Sequence, residues 1–224
     1  MGISYNPAGT IVRTGEERAT LVRRTYALVF VGVRVTLAGS AFAFTQPRLL
    51  QLVAAHPFLT FLCSFAPLLL ATRMRTQFPA NIGLTLLFTF VTGIWIAPLL
   101  LVAESRQPGV VGQAGLLTGS AFAVLTMYAF VSRRDFSAWG SFFAVGVWVL
   151  IATSLLNFFF LRSDGAGLWI AGATVLVFSG LLVFDTWRLR NQYGPDDYVQ
   201  AAVAIYLDLL NMFLAVLRLL GGRR

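Results

Sequence analysis

Residues 167–220 read GLWIAGATVLVFSGLLVFDTWRLRNQYGPDDYVQAAVAIYLDLLNMFLAVLRLL. Two apolar runs, 167–187 and 198–220, flank a polar connection from Arg188 to Asp197. Each run approaches the ~20 residues needed to cross a hydrocarbon core of ~30 Å. Gly194 and Pro195 are turn residues, and Asp196 or Asp197 can cap the helix that follows. The stretch therefore predicts an antiparallel pair of helices in a membrane.

Working outward, the same pattern repeats over 26–45, 51–72, 79–103, 109–132 and 136–161. The run 51–72 is the weakest, because Gln51, His56 and Pro57 interrupt its first half. The connections are short: Arg73 to Phe78, Glu104 to Pro108, Arg133 to Asp135 and Arg162 to Gly165. They leave no room for a water-soluble domain between spans. The expectation is an all-α integral membrane protein, with a polar, cytoplasmic tail over 1–25 and a seven-helix transmembrane domain over 26–224. That tail is too polar for a secretory signal peptide.

Composition agrees: 58% of the 224 residues are hydrophobic and 12% charged, against about a quarter charged in a soluble domain. All 17 basic residues are arginine. They are scattered between apolar runs, which excludes the contiguous basic footprint of a nucleic-acid-binding protein. With seven spans, the amino-terminal side holds Arg13, Arg18, Arg23, Arg24, Arg73, Arg75, Arg133, Arg134, Arg188 and Arg190. The other side holds Arg48, Arg106, Arg162, Arg218, Arg223 and Arg224, and Arg34 falls within a span. Ten against six predicts a cytoplasmic amino terminus. The final arginines conflict with an odd number of spans. Either seven spans place the carboxyl end outside, which is preferred, or the last segment is re-entrant.

One cysteine, Cys63, and one histidine, His56, exclude an internal disulfide, a cysteine metal cluster and an imidazole relay. Gly115 and Gly119 have the spacing of a close helix crossing in lipid.

Acidic residues inside spans are costly and mark a site by default. Asp185 and Asp208 are the two here, equidistant from the turn at 194–197. Folding the chain at that turn brings them level, up to ~17 Å from it. Positions 197, 201, 204, 208, 211, 215 and 218 share one helical face. They are Asp197, Ala201, Ala204, Asp208, Asn211, Ala215 and Arg218, a small and polar stripe in an otherwise apolar helix. Two adjacent carboxyl groups share a proton and titrate as a unit. Deprotonated, they offer a weak site for a hard cation such as Ca²⁺, though two carboxylates make no tight cage. The alternative is that each aspartate pairs with an arginine, Arg73, Arg75 or Arg34, to hold the bundle together.

The closing stretch GPDDYVQAAVAIYLDLLNMFLAVLRLLG resembles the signature of the Bax inhibitor-1 (transmembrane BAX inhibitor motif) family. FDTWRLR at 184–190, RTY at 24–26 and FVTGIWIAPL at 90–99 fit the same family. The resemblance implies seven helices with the last one central and six around it. By similarity to bacterial members, it implies a pH-sensitive calcium leak channel gated by Asp185 and Asp208. It further implies a salt-bridge latch from Arg75, with Arg73 as second choice. No cofactor is expected beyond Ca²⁺ as permeant ion and protons as regulator; the partners are the bilayer and Ca²⁺. Some relatives resemble modulators of a membrane-bound quality-control protease. A regulatory protein acting on such a protease or a cell-death partner is therefore one alternative, and a proton-coupled transporter another. An intramembrane protease is disfavoured: Asp208 sits in YLDLL, without the Gly-x-Gly-Asp context, and His56 stands alone.

Overall fold

The computed structural model describes residues 15–73 and 77–222, the side chain of Thr72 excepted. Among the described residues all regular secondary structure is helical. Six helices are long and apolar enough to cross a membrane: α1 (Gly15–Phe44), α5 (Ala80–Arg106), α6 (Val110–Val131), α7 (Trp139–Leu156, continuing as a wider π turn over Asn157–Leu161), α8 (Asp164–Asn191) and α9 (Tyr198–Gly221). Between α1 and α5 lie three short helices, α2 (Pro47–Ala55), α3 (Pro57–Ser64) and α4 (Ala66–Arg73).

The expected second span is therefore no single straight helix. Pro57 has no N–H to donate and forces its predecessor out of the helical region; His56 accordingly adopts φ −129°, ψ 57°. The axis turns by 102° between Pro47–Ala55 and Pro57–Ala71. The last segment, by contrast, is a continuous helix of 24 residues. α1 begins at Gly15, with Glu16 and Glu17 in its first turn, so helix starts well before the apolar run at 26. Carboxylates there complement the positive end of the helix dipole.

The chain groups into two compact units, Met1–Val102 with Asn191–Tyr206, and Ala103–Arg190 with Leu207–Arg224. In the first unit α1 and α5 meet at glycines. A Cβ on Gly39 would strike the carbonyl of Phe90, and one on Gly93 the carbonyl of Thr36. That close approach lets hydroxyls bond across the crossing. Ser40 Oγ donates to Gly93 O at 2.8 Å, and Thr36 Oγ1 to Thr89 O at 3.1 Å. Gly115 and Gly119, expected to form such a crossing, are exposed with nothing within 4 Å of an added Cβ. Glycine spacing alone does not say which helix face finds a neighbour.

In the second unit, Ala129, Phe136, Val183 and Trp187 form a buried cluster against Leu125 and Phe184. Arg190 ties α8 to the end of α6, donating to Phe130 O at 2.6 Å and Ser132 O at 3.3 Å. A cation there satisfies terminal carbonyls and opposes the negative end of the helix dipole. From Ala201 to Leu217 no residue of α9 is exposed.

Candidate functional site

Gly194 and Asp197 build the turn between α8 and α9. Asp197 N donates to Gly194 O at 3.1 Å, and Asp197 O accepts the first helical bond, from Ala201 N at 3.0 Å. The Asp197 carboxylate turns back to accept from Gly194 N at 2.8 Å. It therefore closes the turn rather than capping the amides ahead of it.

Beyond this turn α8 and α9 bring Asp185 and Asp208 together. Both side chains are buried, at 7% and 4% relative exposure, and the two carboxyl groups are hydrogen-bonding neighbours. Ionised carboxylates only accept hydrogen bonds, so two such groups side by side can bond to each other only when one of them carries a proton. Residues 182–189 are buried except for the half-buried Phe184 and Arg188, which leaves the carboxyl of Asp185 little access to water. Oδ2 of Asp208 is buried with no hydrogen-bond partner. A buried acceptor without a partner is costly and calls for a physical explanation.

The cation beside the pair is Arg188, whose Nη1 donates to Asp185 Oδ1 at 3.0 Å from one helical turn away. Its guanidinium also lies 5.5 Å from the centre of the Phe184 ring. By sequence alone Arg188 falls in the connection after the run 167–187, with no partner named for it. The spacing i, i+3 was the available signal. Arg75, the expected latch, lies outside the described residues; Arg73 is exposed at the end of α4.

The stripe on α9 turns inward over most of its length. Ala201, Asp208 and Ala215 are buried, and Ala204 and Asn211 partly so. Asn211 spends its amide on its own helix, donating to Leu207 O at 2.8 Å. Arg218 is exposed and packs over Gly167 of α8, where a Cβ would displace its guanidinium. Neither joins the carboxyl pair. Among the described residues no group of three or more His, Cys, Asp or Glu stands together.

A second polar cluster escaped the sequence reading. In the first unit, the Tyr206 hydroxyl lies 2.7 Å from Thr36 Oγ1, and Thr92 is a further hydrogen-bonding neighbour. Thr36 also donates to Gly32 O and Thr89 O. A cavity of about 10 Å³ beside it is lined by Gly32, Thr85, Thr89 and Tyr206 among apolar neighbours. Thr85, Thr89 and Thr92 recur at helical spacing on α5, which is the signal that could have revealed the cluster.

Comparison with known proteins shows the family. The family model described as "Inhibitor of apoptosis-promoting Bax1" matches residues 18–224. The chain is 29% identical to Bax inhibitor 1 of Schizosaccharomyces pombe over 207 residues, 91% of this chain and 77% of the relative. It is 30% identical to mouse protein lifeguard 4 over 206 residues, 91% and 85% of the two chains. An uncharacterized membrane protein of Vibrio cholerae shares 36% identity over 140 residues, 61% of each chain. A family match over nearly the whole length joins a bundle of apolar helices whose closing hairpin holds two acids in contact: the chain is an integral membrane protein of the Bax inhibitor-1 family.

Proposed function

We propose that the chain is a pH-sensitive leak pathway for cations, Ca²⁺ foremost, with the Asp185–Asp208 pair as its gate. The observation that supports this reading is the contact between two buried carboxyl groups inside apolar helices, one with an unpartnered oxygen.

Charge counting gives the sign. With one shared proton the pair carries −1, and Arg188 balances it to zero. That neutral set suits a site removed from water. Loss of the proton, as pH rises, leaves one uncompensated negative charge, and an uncompensated buried charge costs about 3–5 kcal/mol. A cation entering beside the pair compensates it, as does separation of the two helices to admit water. Conductance therefore rises with pH and falls as the pair is reprotonated. Two carboxylates hold Ca²⁺ loosely, as a path that must release its ion requires. Arg75, or Arg73 as second choice, would latch the closed state from the amino-terminal side of α5. The arginine distribution supports a cytoplasmic amino terminus.

The test is Ca²⁺ flux into dye-loaded proteoliposomes across pH 5 to 8, for wild type, Asp185→Asn, Asp208→Asn and the double variant. A leak that rises with pH in wild type and loses its pH dependence in the variants is the expected result. An unchanged pH profile in both single variants sinks the gating mechanism.

A regulatory role is the second reading, favoured by the printed names of relatives, lifeguard 4 and the Golgi anti-apoptotic protein of vaccinia virus. It rests on contact with a membrane protease or a cell-death partner rather than on permeation. Folded protein with no flux at any pH, and a double variant fully active in cells, would favour it. Saturable, proton-gradient-driven uptake of a solute would instead indicate a transporter.

A further inference from the structure

The segment between α1 and α5 has an unusual shape for a membrane crossing. α2 is nine residues long, about 14 Å of helix, and meets the following helix at 102°. Projected on the axis of α3 and α4 it contributes only about 3 Å, directed backward. Its length therefore adds nothing to a crossing.

Two further observations locate the bend. First, the polar residues of the exposed surface stop there. Up to the bend the exposed residues include Arg48, Gln51 and His56 alongside Leu52 (55% exposed). From the bend to Leu70 they include Phe58 (67% exposed), Leu59, Leu62, Leu69 and Leu70, and none is charged. The inner face of α2 is anchored by Val53, 4% exposed. Second, Trp95 of α5 donates its indole N–H to Pro57 O at 3.1 Å, with its ring 5.0 Å from Phe61. Tryptophan bonded in this way is characteristic of the headgroup level, where one end of the ring is apolar and the other polar.

We propose that α2 is an interfacial helix lying along the lipid headgroups, with Arg48 and Gln51 among them, and that α3 and α4 alone make the second crossing. A re-entrant hairpin is disfavoured because it would place His56, polar and exposed, at its deepest point in hydrocarbon. In the interfacial arrangement Arg48, Gln51 and His56 all stand at one polar level. The crossing helix from Pro57 to Arg73 is roughly 25 Å long, shorter than an average core of ~30 Å. The bilayer thins locally beside it. With the six long helices the arrangement gives seven crossings among the described residues.

The single native cysteine supplies the test. Cys63 is exposed on α3 and lies on the lipid side of the bend, so a membrane-impermeant maleimide should leave it unmodified. Gln51→Cys and Gln77→Cys, each in a Cys63→Ala background, are then compared in intact and in permeabilised cells. The expected result is that both react, roughly tenfold or more faster than native Cys63, because thiolate forms readily only in contact with water. One of the two should react in intact cells and the other only after permeabilisation. Residues 51 and 77 reacting from the same side would show a re-entrant hairpin and overturn the proposal. So would a residue 51 as unreactive as Cys63, or a Cys63 that reacts freely. Ala54→Cys, on the same exposed face of α2, replaces Gln51→Cys if that variant does not fold.

Discussion

Replacing Gly93 by alanine adds one methyl group at the point where α1 and α5 come closest. The new Cβ would lie against the carbonyl of Thr36 and 3.0 Å from the amide nitrogen of Ser40. Both are backbone atoms, and neither can swing aside as a flexible side chain could. The helices must part by about 1 Å to reach ordinary van der Waals separation. Parting by that distance stretches Ser40 Oγ to Gly93 O from 2.8 Å to about 3.8 Å, beyond hydrogen-bonding range. Thr36 Oγ1 to Thr89 O, at 3.1 Å, goes the same way. Each hydroxyl retains a carbonyl on its own helix, Ser40 on Thr36 O and Thr36 on Gly32 O, so no buried orphan is created. Interhelical bonds in membranes contribute about 0.6 kcal/mol each, and overpacking a tight contact costs about 1–3 kcal/mol. The combined loss is about 2–4 kcal/mol. Gly115→Ala is the control, because an added Cβ there meets nothing within 4 Å and gains the same helix propensity. The assay is denaturant unfolding in mixed detergent micelles, read as the difference between the two variants. If Gly93→Ala proves no less stable than Gly115→Ala, the close backbone crossing is refuted.

Two other substitutions probe contacts that the sequence did not announce. Tyr206→Phe removes the hydroxyl 2.7 Å from Thr36 Oγ1, and Thr36 keeps its carbonyl partners; the expected loss is about 1 kcal/mol in the same assay. A loss above about 4 kcal/mol would contradict this, since nothing in the cluster is left stranded. Arg190→Ala strips two carbonyls at the end of α6 of their guanidinium donor, and should cost about 1–2 kcal/mol. Hydrogen exchange should quicken in the last turn of α6 and not in its first; uniform exchange along α6 would show that Arg190 is no cap.

Membrane character was legible at once, because a hydrocarbon core demands long apolar runs and satisfies no exposed backbone group. The level placement of Asp185 and Asp208 was also legible: a tight turn at Gly194–Asp197 and a constant rise per residue leave two equidistant positions little choice but to meet. The break at His56–Pro57 was visible as a weakness in the second run, since proline acts through its own covalent structure. These are local properties, carried by residues within a few turns of one another.

Tertiary structure decided the rest. Gly39 and Gly93 form the close crossing while Gly115 and Gly119 do not, because closeness depends on which face meets a neighbouring helix. Arg188 rather than a distant arginine completes the described ion pair, and Tyr206 finds Thr36 across 170 positions. At the 102° bend, Pro57 O likewise finds a partner far along the chain, the indole N–H of Trp95. Periodicity and turn chemistry set where each helix runs. Which side chains then share a hydrogen bond depends on how the helices rotate and pack, which no local pattern encodes.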